Sequence, residues 1–422
     1  METTTDTQKS HLDCFKTARR AAATLARAEA EKRLRFLHAL SEALRLQADD
    51  ILRANAQDLE LASHNGASAA RRDRMELNAS RISHLIAAVQ AIAAQPDPLA
   101  EVEEHGVRPS GIKVRRVRSP LGLIGMVFEA RPNVTIDAAA LAVYAGNGII
   151  LRPGREIRHS ARALHNALQI ALRKADLPSE VIQVVDDPDR SWFRSMLSAA
   201  GLIDLLIPRG GAELIRAVER EARVPVLAHA TGVCHTYVDA EADPDMAIKI
   251  VLNAKTQRPG VCNATEGLLI DRQVVGALLP RLSHALRAAG VKLHASPELA
   301  TLDESLAPDG DDYRGHEWLS LDLTVQAVEG VEGAIDYIAS YGSGHTEAIV
   351  TNNPTTAEKF IKGVAASAVM VNASTRFNDG GELGLGAEIG ISTSRLHAWG
   401  PMGALALTTQ RWIVEGEGTV RQ

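Results

Sequence analysis

The spacing of hydrophobic residues changes along the chain. Between residue 11 and about residue 96, apolar side chains recur every three or four positions, as at Leu37, Leu40 and Leu44, and this period predicts amphipathic helices. We interpret the charged residues between them as a solvated helix face. Pro96 marks the end of this region because proline rarely continues a helix.

Short apolar runs alternate with helical stretches after Ser119-Pro120. Strand and helix in alternation predict a parallel sheet with crossover helices, and such sheets bind ligands at the carboxyl ends of their strands. The predicted strands are Leu121–Phe128, Ile149–Leu151, Val181–Val185, Ile203–Ile207 and Val224–Leu227, with helices at Ile157–Ala175 and Ala212–Ala222.

A second alternating series begins near Cys234. Its predicted strands are His235–Asp239, Glu266–Ile270, Leu323–Val328, Glu347–Val350 and Ala368–Val371, and its predicted helices are Pro244–Ala254, Arg272–Ala289, Val331–Tyr341 and Pro354–Gly363. We therefore predict two α/β domains, covering 1–232 and 233–372, followed by a terminal segment, 373–422. Within that segment, Ala404–Thr409 and Trp412–Val414 are expected to be strands.

The composition narrows the class of protein. The 422 residues are 45% apolar and 23% charged, enough to bury a core without disulfides or metals. A net charge of −6 argues against a nucleic-acid binder. Three cysteines fit a reducing compartment, and the fourteen histidines show no metal-ligand spacing. With neither an apolar run of about 20 residues nor a secretory signal, we expect a cytoplasmic protein without a membrane span or metal.

One cysteine lies in a segment typical of a nucleophile. Cys262 follows the turn-forming pair Pro259-Gly260, with Lys255 and Arg258 just upstream. Nearby cations stabilise a thiolate, which attacks acyl carbons and aldehydes, so the segment indicates acyl transfer or aldehyde redox chemistry. The alternative is a small buried apolar residue, which is how we interpret the other two cysteines.

Three predicted strand ends carry polar residues, each with an alternative interpretation. Asn133 has an amide suited to an oxyanion, although asparagine is also common in turns. Arg152 is either a ligand contact at the edge of the sheet or a solvated side chain. Pro208-Arg209-Gly210-Gly211 is either an anion-binding junction between strand and helix or a plain turn. The glycines of 384–390 superficially match a dinucleotide fingerprint, but no strand–helix–strand unit surrounds them.

Long strings of residues carry a family resemblance: Ser119–Thr135, Leu206–Gly211, Asn253–Pro259, Tyr341–Glu347, Val371–Phe377, Gly384–Ile389 and Leu396–Gly403. From about residue 15 to its end, the chain resembles the gamma-glutamyl phosphate reductases, a family of the aldehyde dehydrogenase superfamily. The resemblance implies reduction of L-glutamyl 5-phosphate by NADPH to L-glutamate 5-semialdehyde with release of phosphate, the second step of proline biosynthesis. It also implies an aldehyde dehydrogenase-like α/β fold with two parallel-sheet domains and a small oligomerisation element.

The resemblance further implies roles for particular residues. Cys262 matches the nucleophile, Asn133 the oxyanion-binding asparagine and Glu317 the glutamate that holds the nicotinamide ribose. The cofactor's phosphates and adenosine end would lie at Arg152, Pro208, Arg209, Gly210 and Gly211, and candidates for holding the leaving phosphate are Arg131, Arg258 and Arg376. NADP binding is thereby assigned to 1–232, catalysis to 233–372, and oligomerisation with completion of the substrate pocket to 373–422. A homo-oligomer is expected, and an association with glutamate 5-kinase is compatible with it.

Departures from the family pattern lead to further expectations. The stretch Leu227–Cys234 has no glutamate to activate water, which fits phosphate as the leaving group. Trp399 replaces an arginine and would weaken an anionic contact, while Pro153 replaces a glycine and would alter cofactor binding. One alternative is an aldehyde dehydrogenase or CoA-acylating relative that acts on a different acyl group. The other is a non-catalytic scaffold for a kinase, which the intact cysteine segment argues against.

Overall fold

The computed structural model of the protein describes residues 2–187, 189–228 and 231–421. The chain forms two compact units. The first contains the chain up to Ala228 together with Gly384–Gly390 and the residues from Leu396 onward. The second contains the chain from Thr231 to Leu383 together with Ile391–Arg395. The terminal residues are therefore shared between the two units.

The helices and strands are numbered in chain order. The helices are α1 Glu2–Leu25, α2 Ala30–Leu46, α3 Ala48–His64, α4 Ala69–Met75, α5 Ala79–Ala93, α6 Val134–Tyr144, α7 Arg158–Lys174, α8 Arg190–Leu197, α9 Ala212–Glu221, α10 Pro244–Thr256, α11 Val275–Ala288, α12 Pro297–Ala300, α13 Gly330–Tyr341 and α14 Pro354–Gly363. The strands are β1 Val102–Val107, β2 Lys113–Pro120, β3 Leu123–Phe128, β4 Gly148–Pro153, β5 Ile182–Val184, β6 Leu205–Arg209, β7 Cys234–Val238, β8 Thr265–Asp271, β9 Lys292–Ala295, β10 Asp322–Val328, β11 Thr346–Val350, β12 Ala368–Val371, β13 Ile391–Ser392, β14 Gly400–Pro401 and β15 Thr408–Glu415.

The amino-terminal region is helical, as its hydrophobic period predicts. Leu37, Leu40 and Leu44 share one face of α2 and are fully buried. That face packs against α5 and α7 in the larger core of the first unit. Burying a leucine side chain stabilises the folded state by roughly 1.5–3 kcal/mol. The periodic leucines therefore attach the helical region to the sheet.

The first unit contains a four-stranded parallel sheet in the order β5-β4-β3-β6. All six residues of β3 are buried, so this strand reads as a continuous apolar run. The chain leaves β3 towards β4 and β5 on one side, whereas β6 pairs on the other. The strand order thus reverses between β3 and β6, and at such switch points open α/β sheets bind ligands beyond the carboxyl ends of the strands.

The strand predicted at Val224–Leu227 is wrong. Only an isolated bridge joins Val226 to Leu206 there. The Leu206 amide donates to the Pro225 carbonyl, and the Leu227 amide donates back to Leu206. The next bond would need an N–H at Pro225 in one direction and at Pro208 in the other, and neither proline has one, so the ladder stops after these two bonds.

A three-stranded antiparallel sheet, β1-β2-β15, also belongs to the first unit. The hydrophobic pattern does not reveal β1 and β2 because both faces carry charged or exposed side chains. Of the two strands predicted near the end, Trp412–Val414 is confirmed as part of β15, whereas most of Ala404–Thr409 is not a strand. Ala404–Leu407 forms a 3₁₀ turn, and β15 then runs unbroken through Glu415, paired with β2.

The second unit contains a six-stranded parallel sheet in the order β12-β11-β7-β8-β10-β9. Every residue of the near-central strand β8 is buried. Apolar clusters that include Leu268 and Leu269 form the core of this unit. The predicted strands are confirmed, and the additional edge strand β9 escaped prediction because its sequence, Lys-Leu-His-Ala, is half polar. Among the described residues, no helix is long and apolar enough to cross a membrane.

Candidate active site

Cys262 lies at the amino-terminal edge of the second unit's sheet, in the loop between α10 and β8. Three other segments reach the same edge because each immediately precedes a strand. Gly232 precedes β7, Glu317 precedes β10 and Ser343 precedes β11. The sequence-based rule that ligands bind at carboxyl ends therefore does not describe the surroundings of this cysteine.

The backbone at Cys262 is fixed by close neighbours. The thiol of Cys234 donates to the Cys262 carbonyl oxygen, with 3.1 Å between sulfur and oxygen. A Cβ atom added at Gly232 would lie 2.2 Å from that same oxygen, so only glycine fits there. Cys234 is fully buried, and burial raises the pKa of its thiol well above the ordinary value. Of the two neighbouring cysteines, Cys262 is the one with access to solvent.

Glu317 is tied to the segment that faces Cys262. Its Oε1 accepts a hydrogen bond of 2.8 Å from the Gly232 amide. The Ser343 hydroxyl accepts a second bond, of 3.0 Å, from the Val233 amide. These two bonds hold the start of β7 in place, and they bring Glu317 into the same group of loops as the cysteine.

Lys255 does not have the role expected from its position in sequence. Its side chain is fully buried and its ammonium group donates to Glu266 Oε2, also fully buried. Burial lowers the pKa of Lys255 and raises that of Glu266 to about 7. The expectation that Lys255 stabilises a thiolate at position 262 is corrected, because its charge is paired with Glu266. Arg258, the other upstream cation, is exposed.

Arg376 is bound to residues on both sides of the cysteine. Its Nε donates to Gln257 Oε1 at 2.8 Å, and its Nη1 donates to Asn263 Oδ1. Asn263 is held in turn by a 2.9 Å bond from its amide to the carbonyl of Asn378. Of the three arginines predicted to hold phosphate, Arg258 and Arg376 thus belong to the second unit, and Arg131 to the first.

In the first unit, Asn133 stands at the start of α6, beyond the carboxyl end of β3. Its side-chain amide donates to Asp137 Oδ2 at 2.9 Å, one helical turn later. Burial raises the pKa of Asp137 to about 6, although the bond from Asn133 and the charge of Arg209 oppose that rise. Sequence reasoning missed Asp137. The four-residue spacing after Asn133, which places the two side chains on one face if the segment is helical, is the signal that could have found it.

Arg152 lies near the carboxyl end of β4. Its guanidinium stands over the Phe193 ring, 5.8 Å from the centroid, and donates to the Asp189 carbonyl at 3.4 Å. The Nε atom is buried and has no hydrogen-bond partner among the described residues. A buried N–H without a partner is costly, so this atom is suited to an acceptor on a ligand.

The junction Pro208–Gly211 contains the last two residues of β6 and the two glycines that follow them, at the switch point. The Gly211 amide donates to Glu129 Oε2 at 3.0 Å, and a Cβ atom at Gly210 would lie 2.6 Å from that oxygen. Arg209 donates instead to the carbonyl of Ile389 at 3.2 Å. A carboxylate of the protein itself therefore already lies at the start of α9, a position that favours negative charge. Glu129 is a second residue that sequence reasoning missed.

The glycines of 384–390 have a packing role. Gly386 has a φ of +74°, and a Cβ atom there would lie 2.8 Å from the backbone nitrogen of Ile92 in α5. No strand–helix–strand unit contains this loop. Within the described ranges, no group of three or more His, Cys, Asp or Glu side chains is arranged to hold a metal ion. His229, in the stretch without a glutamate, lies outside the described residues.

A family model described as the aldehyde dehydrogenase family matches residues 1–301. The chain belongs to the aldehyde dehydrogenase family. The family resemblance and the α/β fold class predicted from sequence are thereby confirmed, and the protein is an oxidoreductase of this family.

Relatives with closer similarity carry one name. The chain is 50% identical to a gamma-glutamyl phosphate reductase of Anaeromyxobacter sp. (strain K), over 96% of each chain. It is 49% identical to one from Thermus thermophilus, over 96% of this chain and 98% of the other. The crystal structure of a gamma-glutamyl phosphate reductase from Thermotoga maritima is similar with a TM-score of 0.94 and 39% identity, over 98% of this chain and all of that one.

Proposed function

We propose that this member of the aldehyde dehydrogenase family reduces L-glutamyl 5-phosphate to L-glutamate 5-semialdehyde with NADPH, releasing phosphate. This is the second step of proline biosynthesis from glutamate. The observation that carries the proposal is the partly exposed Cys262, whose carbonyl is held by Cys234 and whose neighbour must be glycine. The choice of substrate is based on the gamma-glutamyl phosphate reductases that match almost the entire chain.

The first step is attack by the Cys262 thiolate on the acyl phosphate carbon. A carbon–sulfur bond forms, the carbonyl electrons move to oxygen, and the oxyanion is stabilised by the Asn133 amide and the backbone N–H of Cys262. When the carbonyl re-forms, the carbon–oxygen bond to phosphate breaks and leaves a thioacyl group on the protein. Asp137 holds the Asn133 amide by one of its two N–H bonds, and we assign the other to the oxyanion.

The departing phosphate needs at least one guanidinium group. Arg376 is our first candidate because it is hydrogen-bonded on both sides of the cysteine loop. The stretch Leu227–Cys234 lacks a carboxylate that would activate water. Water would hydrolyse the thioester to glutamate, so the missing base protects the intermediate until it is reduced.

The residues that would hold NADPH fit such a ligand. Arg152 supplies a buried N–H that no other described residue accepts, and the Pro208–Gly211 junction lies at the switch point of the first sheet. Glu317 would accept from a ribose hydroxyl. When bound, NADPH supplies the hydride that converts the thioacyl carbon to the aldehyde and frees the thiolate. Glu129, already at the start of α9, favours a cofactor phosphate held chiefly by Arg152 rather than at that helix end.

An assay of the reverse reaction tests the proposal. Glutamate semialdehyde and NADP are supplied with inorganic phosphate, with CoA, or with neither. We expect NADP reduction only with phosphate. Reduction that requires CoA would support the CoA-acylating relative, and a preference for another aldehyde in a substrate panel would support a different acyl group. No NADP reduction by the wild-type protein under any of the three conditions would favour the scaffold alternative, and full turnover by Cys262→Ala would refute the cysteine as nucleophile.

We also propose that the protein assembles into a homo-oligomer in the cytoplasm. Trp412 and Val414 on β15, and Val102 and Val107 on β1, are about half or more exposed, which leaves apolar side chains along the three-stranded sheet. Analytical ultracentrifugation of wild type and Trp412→Glu tests the assembly. The association with glutamate 5-kinase is tested by co-sedimentation of the two purified proteins.

A further inference from the structure

One buried carboxylate links two of the loops at the amino-terminal edge of the second sheet. Glu266 lies near the start of β8 and is 1% exposed, and its two oxygens have different partners. Oε2 accepts from the ammonium of Lys255, near the end of α10 where the chain enters the cysteine loop. Oε1 accepts a 3.2 Å bond from the backbone amide of Leu319, in the loop that carries Glu317.

Leu319 is a point of strain in the Glu317 loop. Its φ is +52°, in the left-handed region that side chains other than glycine rarely adopt. Such a conformation persists only where surrounding structure holds it. The bond from the Leu319 amide to Glu266 supplies part of that hold, and the stacking of Trp318 on His294, 4.2 Å between ring centroids, supplies another part.

The links continue to the nucleophile. Glu317 holds the Gly232 amide, and Gly232 packs directly against the backbone of Cys262. A path of contacts therefore runs from Lys255 through Glu266 and the Glu317 loop back to the cysteine. Because Glu266 is buried, it affects the site through the residues to which it is hydrogen-bonded.

We infer that Glu266 is a positioning residue, whose two oxygens separately fix the Glu317 loop through Leu319 and the cysteine loop through Lys255. The inference rests on the proposed function, in which Glu317 binds the cofactor and Cys262 is the nucleophile. Cofactor binding and the position of the Cys262 thiol would then both depend on one side chain that contacts neither the cofactor nor the thiol.

Three variants and one control separate the two connections of Glu266, which we call the Leu319 arm and the lysine arm. Glu266→Ala removes both, Glu266→Gln keeps an acceptor for the Leu319 amide, and Lys255→Met removes only the lysine arm. The matched control is Asp271→Ala, at the other end of the same strand, where an equally buried carboxylate accepts a 2.9 Å bond from the Tyr237 hydroxyl. The measurements are the Kd for NADPH by fluorescence, the alkylation rate of Cys262 by iodoacetamide, hydrogen exchange at the Leu319 amide, and Tm.

We expect Glu266→Ala to raise the Kd for NADPH about tenfold, to change the alkylation rate at least about threefold, and to deprotect the Leu319 amide. Glu266→Gln should keep the Kd within about threefold of wild type, and Lys255→Met should change alkylation while sparing the Kd. Asp271→Ala should lower Tm without changing either ligand-related measurement.

The inference is overturned if Glu266→Ala leaves the Kd and the alkylation rate unchanged, or if Asp271→Ala changes them equally. It is also overturned if Glu266→Gln loses the Leu319 protection as fully as Glu266→Ala. A wild-type protein that fails to bind NADPH counts against the proposed function instead. Alkylation and Leu319 exchange then still decide whether Glu266 positions these two loops.

Discussion

The two parallel sheets of this protein present their candidate residues at opposite edges. In the first unit, Asn133, Arg152 and Gly211 lie at the carboxyl edge, where helices α6 and α9 begin. In the second unit, Cys262 and Glu317 lie at the amino edge, where α10 and α13 end. Helix starts favour anions and helix ends disfavour them. The first edge is therefore suited to phosphates, whereas the second requires other means to hold a thiolate and a carboxylate.

Side chains supply those means in the second unit. The loops around Cys262 are tied together by the thiol of Cys234, the hydroxyl of Ser343 and the buried carboxylate of Glu266. At the first edge, the backbone itself provides sites that favour anions, because helices α6 and α9 begin shortly after strands β3 and β6 end. The comparison teaches that the fold prepares one edge for ligands, and that the other edge becomes a site only through specific buried contacts.

The largest effect should come from the second edge. Cys262→Ser replaces the thiolate with a poor nucleophile, and we expect phosphate-dependent NADP reduction to fall by at least about 10³-fold. Cys14→Ser, a partly buried cysteine in α1, serves as the control and should retain activity. Mass spectrometry of wild type incubated with acyl phosphate but no NADPH should find the thioacyl adduct. Near-normal turnover in Cys262→Ser would refute covalent catalysis.

The strongest effect at the first edge should follow the loss of the Asn133 amide. Asn133→Ala should lower kcat about 10²-fold with little change in KM, because an oxyanion donor acts mainly in the transition state. Steady-state kinetics measures both constants, and an unchanged Tm of the variant shows that the loss of kcat is not a loss of folded protein. A rise in KM with unchanged kcat would show that the amide binds ground-state substrate instead.

Removing the guanidinium at the carboxyl end of β4 should weaken cofactor binding. Arg152→Ala should raise the Kd for NADPH about tenfold, as expected for the loss of a charge-assisted hydrogen bond. Arg155→Ala, exposed three residues later, is the control and should have little effect. Fluorescence titration measures both. Equal Kd values for the two variants would place the cofactor phosphates elsewhere.

The smallest effect concerns stability at the first edge. The folded-state pKa of Asp137, about 6, lies above its ordinary value of 3.8, so the folded protein binds more protons than the unfolded chain between these pH values. This group therefore destabilises the fold as pH rises. The stability of Asp137→Asn relative to wild type should increase by on the order of 1–2 kcal/mol from about pH 4 to about pH 7.

Denaturant unfolding at several pH values measures that difference. Asp49→Asn, which removes an exposed carboxylate from the first turn of α3, is the control, and its stability relative to wild type should show no such rise. If the stability of Asp137→Asn relative to wild type is also independent of pH, burial of the ionised Asp137 carboxylate does not destabilise the fold.

The sequence predicts most of the regular structure, because burial leaves a periodic trace. The leucines of α2 and the apolar runs of β3 and β8 mark their elements without reference to anything distant in the chain. Strands β1 and β2 leave no such trace, since β2 is stabilised by pairing with a strand almost 300 residues away. The false strand at Val224–Leu227 shows the converse, an apolar run whose pairing ends at a proline.

The residue types of the candidate site are also visible in the sequence, but their partners are not. The string around Cys262 shows a nucleophile and two upstream cations, and the family resemblance adds Asn133 and Glu317. Only the folded chain shows that Lys255 is paired with Glu266 and that Cys234 donates to the Cys262 carbonyl. The order of residues along the chain determines most of the helices and strands and shows which reactive residue types are present. Burial and hydrogen bonding between residues distant in sequence decide which charge meets which partner, because those energies depend on distances that the sequence does not specify.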